Sequence, residues 1–315
     1  MTSIRTAAPM ILILALASCT SAAVDQVASN PAPVVAVPPI SSFPRITDPS
    51  PDSLPIEAFL LSSRQEQELL TGQQRLIAQC MAKSGYAYNV PESANAAAAG
   101  PFLARRYGVV SHTEVAKFGY HPPSPAGPSS KAVQPVISSQ EQLALTGGSA
   151  PLQVSPTPGA SKQRQPHPGQ KALPGGCVGA SLRTLLAHGG LMGQPSVAEK
   201  INFDSFSASL ANRQVVAAFS QWSKCMASDG FSYSNPMDAV ADPRWQTAAP
   251  SRLEIRTAQA DVACKATTNL VGTWFTVESA IQEVLIKRQA AALAAARAGI
   301  RSELVIAVAA GTRLR

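Results

Sequence analysis

Cys80-Met-Ala-Lys-Ser-Gly-Tyr-Ala-Tyr-Asn-Val-Pro91 aligns without a gap on Cys225-Met-Ala-Ser-Asp-Gly-Phe-Ser-Tyr-Ser-Asn-Pro236. Cys, Met, Ala, Gly, Tyr and Pro match in register, and Tyr86 stands opposite Phe231. Each copy closes a run of apolar residues at helical spacing, so the cysteine falls on the last turns of a helix. Gly85 or Gly230 then supplies a left-handed cap, and the aromatic after it folds back onto the helix. Pro91 or Pro236 forbids continuation. Two helix ends built alike predict a mainly α fold: a small helical bundle stabilised by two disulfides, with long Pro-rich disordered segments.

Upstream of the first copy, helical spacing runs from about Ser53 to Ser84, and a shorter helix is expected at Ser111–Phe118, closed by Gly119. Upstream of the second, helices are expected at Cys177–Ala187, Val197–Leu210 and Ala211–Ser228. Downstream, Ala263, Thr267, Leu270, Trp274, Val277, Ile281 and Val284 alternate steps of four and three, the seam of one long packed helix. Ala-rich sequence from Gln289 to Ala298 can extend it. Leu304 to Ala309 is the best strand signal.

The 315 residues are 45 % hydrophobic but only 14 % charged, against roughly 25 % in an ordinary domain. Nineteen of the 26 prolines fall in two windows, eight from Pro31 to Pro55 and eleven from Pro122 to Pro174. These features exclude a collagen, a coiled-coil rod and a multi-span membrane protein. The expected organisation is a signal peptide (1–18), a Pro-rich tether (19–53), a first helical unit (54–121), a low-complexity linker (122–176) containing one weak helical piece at Ser138–Leu145, a main helical unit (177–300) and a basic tail (301–315).

Residues Met10 to Ala17 are uniformly apolar and follow an n-region with one cation, Arg5. Eight residues cannot span a bilayer, which needs about 20, but they suit an export signal. The stretch ends in Leu16-Ala17-Ser18-Cys19, which resembles the lipobox of bacterial lipoproteins. That resemblance implies acylation of the Cys19 thiol and attachment to the membrane, extracytoplasmic. An ordinary secretory signal cleaved near Ala22 or Ala23 would lead to the same compartment.

Four cysteines remain, Cys80, Cys177, Cys225 and Cys264, an even number that in an exported chain suggests two disulfides. Spacing leaves three pairings open. The repeat implies Cys80–Cys177 and Cys225–Cys264, because each copy is followed by one further cysteine on another expected helix. A four-thiolate zinc site is disfavoured by the lack of any Cys-x-x-Cys.

The repeated Cys-Met-x-x-x-Gly-aromatic motif, Trp222-x-x-Cys225-Met226, and Ala260-Asp261-Val262-Ala263-Cys264-Lys265 with Thr268-Asn269-Leu270-Val271 and Trp274 resemble exported lipoprotein-like proteins of actinobacteria. That group has no established activity. The resemblance implies a compartment, a cysteine framework and an association with envelope transporter components, and it covers the second half better than the first.

No Gly-x-Ser-x-Gly, His-Glu-x-x-His, phosphate loop or Gly-x-Gly-x-x-Gly occurs, so no catalytic residue, cofactor or metal is assigned. His112, His121, His167 and His188 are scattered. Asp238 and Asp242, beside Trp245, form the candidate ligand surface, although both acids are also placed to cap helix starts. Asp261 is expected to be partly buried and paired with an arginine such as Arg213 or Arg244. Trp222 and Trp274 are expected in the core. From Val284 onward six cations face one acid, Glu303, which suits anionic lipid or acidic wall polymer rather than nucleic acid in an exported chain. The expected function is non-enzymatic: a cell-envelope lipoprotein that binds an envelope partner. The alternative is a secreted hydrolase acting on cell-wall polymer.

Overall fold

A computed structural model describes residues 35–90, 102–123, 137–148, 174–190, 192 and 196–312. The expected signal peptide, Cys19, the start of the tether, most of the 122–176 window, and Arg313 and Arg315 lie outside the described residues. Among those described, ten α-helices and two 3-10 turns form and no strand does. No described helix is long and apolar enough to cross a membrane.

The helices start where the sequence offers a capping oxygen. α1 (Ser63–Lys83), α2 (His112–Phe118), α3 (Ser139–Thr146), α5 (Val197–Leu210) and α6 (Arg213–Ser228) follow Ser62, Ser111, Ser138, Ser196 and Asn212, each of whose side chains accepts a backbone N–H of the first turn. α4 (Gly176–Leu186) starts instead from a left-handed Gly175. The short α7 (Pro236–Val240) is capped by Asn235, and α8 (Arg252–Thr268) by Ser251.

The two repeat copies form the same structure. Gly85 and Gly230 both have φ of +85°. Behind them Tyr86 N–H donates to Met81 O at 3.0 Å, and Phe231 N–H to Met226 O at 2.9 Å. Met81 and Met226 are both completely buried. The disulfides join Cys80 to Cys177 and Cys225 to Cys264, with Cα atoms 5.5 and 5.7 Å apart. The first ties α1 to α4; the second ties α6 to α8.

Three expectations are corrected. The seam from Ala263 to Val284 is not one helix: Asn269, at φ +51°, ends α8 and α9 (Leu270–Arg288) begins at the next residue. The break resets the phase, so Ala263 and Thr267 are exposed while Leu270, Trp274, Val277 and Ile281 are buried. Leu304 to Ala309 is helical, within α10 (Ala290–Thr312). Its burial recurs at Glu303, Ala307 and Ala310, steps of four and three, while Val305 and Val308 face outward. Most of the expected basic tail is therefore the end of a helix. Thirdly, the last part of the expected tether is docked. Val35, Val37, Ile40, Phe43 and Ile46 pack against the core. Asn269 holds this extended chain at the α8–α9 break, accepting from Ile46 N–H at 3.3 Å and donating to Pro44 O at 3.1 Å.

The main core lies between α5, α6, α8 and α9, with Trp222 and Trp274 fully buried within it. Trp274 meets Tyr107, Phe206 and Phe219 at ring-centroid distances of 4.9–5.5 Å. A second apolar layer joins α1, α4 and α10 through Leu69, Leu185 and Ala307. Gly72 lets α1 lie directly on Ala307 of α10, since a Cβ there would overlap that residue.

Candidate functional site

The inward face of α8 and α9 carries ionisable side chains as well as apolar ones. Glu254, Asp261, Lys265 and Glu278 are all at most 2 % exposed. Residues 254, 261 and 265 recur at steps of seven and four, which places them on one helical stripe. Buried charge is costly unless it is paired, and each of these groups has partners.

The segment from Leu103 to His121, which includes α2, supplies most of them. Arg106 forks onto Glu278, with Nε 3.1 Å from each carboxylate oxygen and an Nη2 contact to Oε1. Tyr107 Oη donates to the same carboxylate at 3.0 Å, and burial beside that negative charge pushes its phenol far above the usual range. Lys265 Nζ donates to Val109 O at 2.9 Å and to Asp261 Oδ2 at 3.0 Å, while Trp222 Nε1–H donates to Asp261 Oδ1 at 2.9 Å. Burial raises the Asp261 carboxyl and lowers the Lys265 ammonium, with their mutual attraction opposing both shifts. At the far end Glu254 Oε1 accepts from Tyr120 N–H at 2.9 Å and meets His121 Nδ1 at 2.7 Å. Gly119, at φ +56°, makes that approach feasible, because a Cβ would overlap the Glu254 carboxylate.

The other ring nitrogen of His121 lies 2.8 Å from Thr247 O. A carbonyl only accepts, so Nε2 carries a hydrogen, and a carboxylate at Nδ1 calls for a second one. The geometry therefore suits an imidazolium. The Thr247 carbonyl first, and Glu254 second, raise the His121 pKa above its ordinary value.

These contacts correct one sequence expectation. The partner of Asp261 is Lys265, one turn along its own helix; Arg213 is exposed, and Arg244 pairs with Asp242. At the candidate ligand surface, the Trp245 ring itself is buried. Trp245 is 6 % exposed, stacks on Tyr120 at 5.9 Å and donates Nε1–H to Ala239 O. Asp242 caps the 3-10 turn Pro243–Trp245, and its carboxyl is held well below the usual range by Arg244. It also accepts from Tyr233 Oη at 2.7 Å, while desolvation and that carboxylate push the Tyr233 phenol up to about 12. Asp238 is exposed in the first turn of α7 and accepts from Asn235 Nδ2. Both acids hold local turns.

A groove of about 700 Å³ runs between α1, α4 and α10. Leu76 of α1 and Val305 and Ile306 of α10 form apolar walls, and Arg183, Thr184 and His188 line it from the α4 side. Sequence reading missed this groove, because it depends on α10 being one helix through a stretch that reads as a strand. Of the C-terminal cations, Lys287, Arg288, Arg297 and Arg301 are exposed on α9 and α10.

No protein-family model, curated protein or solved structure matches this chain.

Proposed function

We propose that the chain is an extracytoplasmic lipoprotein, held at the membrane through Cys19, whose helical body binds a partner rather than catalysing a reaction. The observation that carries this reading is the address. An eight-residue apolar stretch ends at Leu16-Ala17-Ser18-Cys19, and the four cysteines beyond it are joined as two long-range disulfides. Disulfides of this kind belong to oxidising compartments. Two acyl chains on Cys19 would give a stable anchor, each buried CH₂ contributing about 0.8 kcal/mol.

The interior supports binding over hydrolysis. Glu254, Asp261 and Glu278 spend their charge on docking the 103–121 segment and on Lys265, and Asp238 and Asp242 hold turns. The groove between α1, α4 and α10 sets apolar side chains beside polar ones and the cation Arg183, with no acid among its lining residues. Metabolic labelling with a fatty acid tests the anchor: the wild-type chain takes up label, while Cys19→Ser does not and appears in the medium or as an uncleaved precursor. Label retained by the Cys19→Ser chain would overturn it.

A further inference from the structure

We propose that the groove between α1, α4 and α10 takes the acyl chain of a singly acylated anion, with its head group at Arg183. This deepens the reading of the body as a binding module and does not depend on the anchor at Cys19.

Three observations meet in this groove. Its volume, about 700 Å³, is in the roughly 300–1,000 Å³ range of small-molecule sites. Part of its wall is apolar or small, with Leu76, Ala180, Ile306 and Val305 beside the polar Gln79, Thr184 and His188, and Val305 is 70 % exposed on a helix whose other face is packed. An exposed β-branched residue continuous with an apolar groove is surface that gains from being covered. The third observation is charge. No acidic side chain lines the groove, and Arg183 is exposed and engages no carboxylate among the described residues. One of its N–H groups donates to Pro174 O at 2.8 Å, which steadies the guanidinium and leaves its other donors for a ligand. A guanidinium suits a carboxylate or a phosphate equally, by paired N–H bonds.

The geometry thus calls for a ligand with one apolar chain and one anionic head. A neutral or cationic head would leave Arg183 uncompensated, and a hydrophilic anion would leave the walls wet. Small side chains at Ala180 of α4, at Ala187 just beyond its end and at Ala310 of α10 line the channel, so a bulky residue there would fill it.

Binding is measured on the full chain carrying Cys19→Ser, with lysophosphatidylglycerol, lysophosphatidylcholine and laurate as probes, each below its micellar concentration. The expected result is that lysophosphatidylglycerol binds at least tenfold tighter than lysophosphatidylcholine of the same chain length. Arg183→Gln should remove that difference, and Thr184→Trp should abolish binding of both while leaving the circular dichroism and melting temperature unchanged. Laurate separates the two sources of the head group: tighter binding than the lysophospholipid assigns a carboxylate, weaker binding a phosphate, and either keeps the proposal. Equal affinity for the two lysophospholipids, no effect of Arg183→Gln, or no binding of any probe overturns it. The anchor reading stands or falls separately, on fatty-acid labelling.

Discussion

Glu254 and His121 show how much a single contact contributes here. The Glu254 carboxylate is fully buried, and its Oε2 has no partner among the described residues. Its charge is met at Oε1 by Tyr120 N–H and His121. The other charged group facing His121 is Arg105, whose guanidinium donates to His121 O and pairs with Glu114. Because the folded pKa of His121 is raised, its stabilising effect is complete below the unfolded value of about 6.5 and is lost as pH rises through the folded value. We expect the urea midpoint to fall as pH is raised from 6 to 9, and the fall to shrink in His121→Gln. A slope unchanged in that variant would place its cause elsewhere. The sequence made this residue visible only as one of four scattered histidines. Nothing local tells His121 from His112, since Glu254 and Thr247 are more than 120 residues away.

At the scale of elements, Asn269 decides the topology. It stands between the end of α8 and Leu270-Val271, and neither a proline nor a glycine occupies the break itself, Gly272 lying three residues further on inside α9. Left-handed backbone costs roughly 1–2 kcal/mol for an ordinary L-residue and less for Asn. Its side chain also ties residues 43–46 to the break. Asn269→Ala should therefore lower stability by about 1–2 kcal/mol or more. Asn269→Gly should recover the backbone part but not the contacts with the extended segment, so its loss should be smaller. Chemical denaturation of the two variants checks the order; Ala at least as stable as Gly would mean that the left-handed turn is not what matters. The same competition between local signal and packing explains α10. Leu304–Ala309 is a short β-branched run, which reads as a strand on its own. It continues an Ala-rich helix, however, and each residue added to a growing helix gains a hydrogen bond without a new nucleation cost.

Across the whole molecule, the two disulfides close long loops, with sequence separations of 97 and 39. In the chain-entropy model each contributes about 4–5 kcal/mol by restricting the unfolded chain. The bond between Cys80 and Cys177 also spans Lys131, Lys162 and Arg164. If trypsin cuts the protein at any of these, the two fragments should migrate together without reductant and separate with it. Fragments that part without reductant would contradict that pairing. Peptide mapping should find Cys225 with Cys264 in the same preparation.

The sequence by itself determined the parts that depend on near neighbours. Capping serines, the glycine after each Cys-Met helix and the apolar spacing of α1, α5 and α6 fix helices because their interactions close within a few residues. The internal repeat pointed further, to a cysteine pairing across 97 residues that the structure also contains. Only the tertiary structure decided how the buried charges pair, where α8 turns into α9, that Phe43 and Ile46 pack against the core, and that three helices leave a groove beside Arg183. Each of these rests on contacts between residues distant in the chain. A buried carboxylate must find a donor wherever the packing brings one, and the identity of that donor is not written in its neighbours.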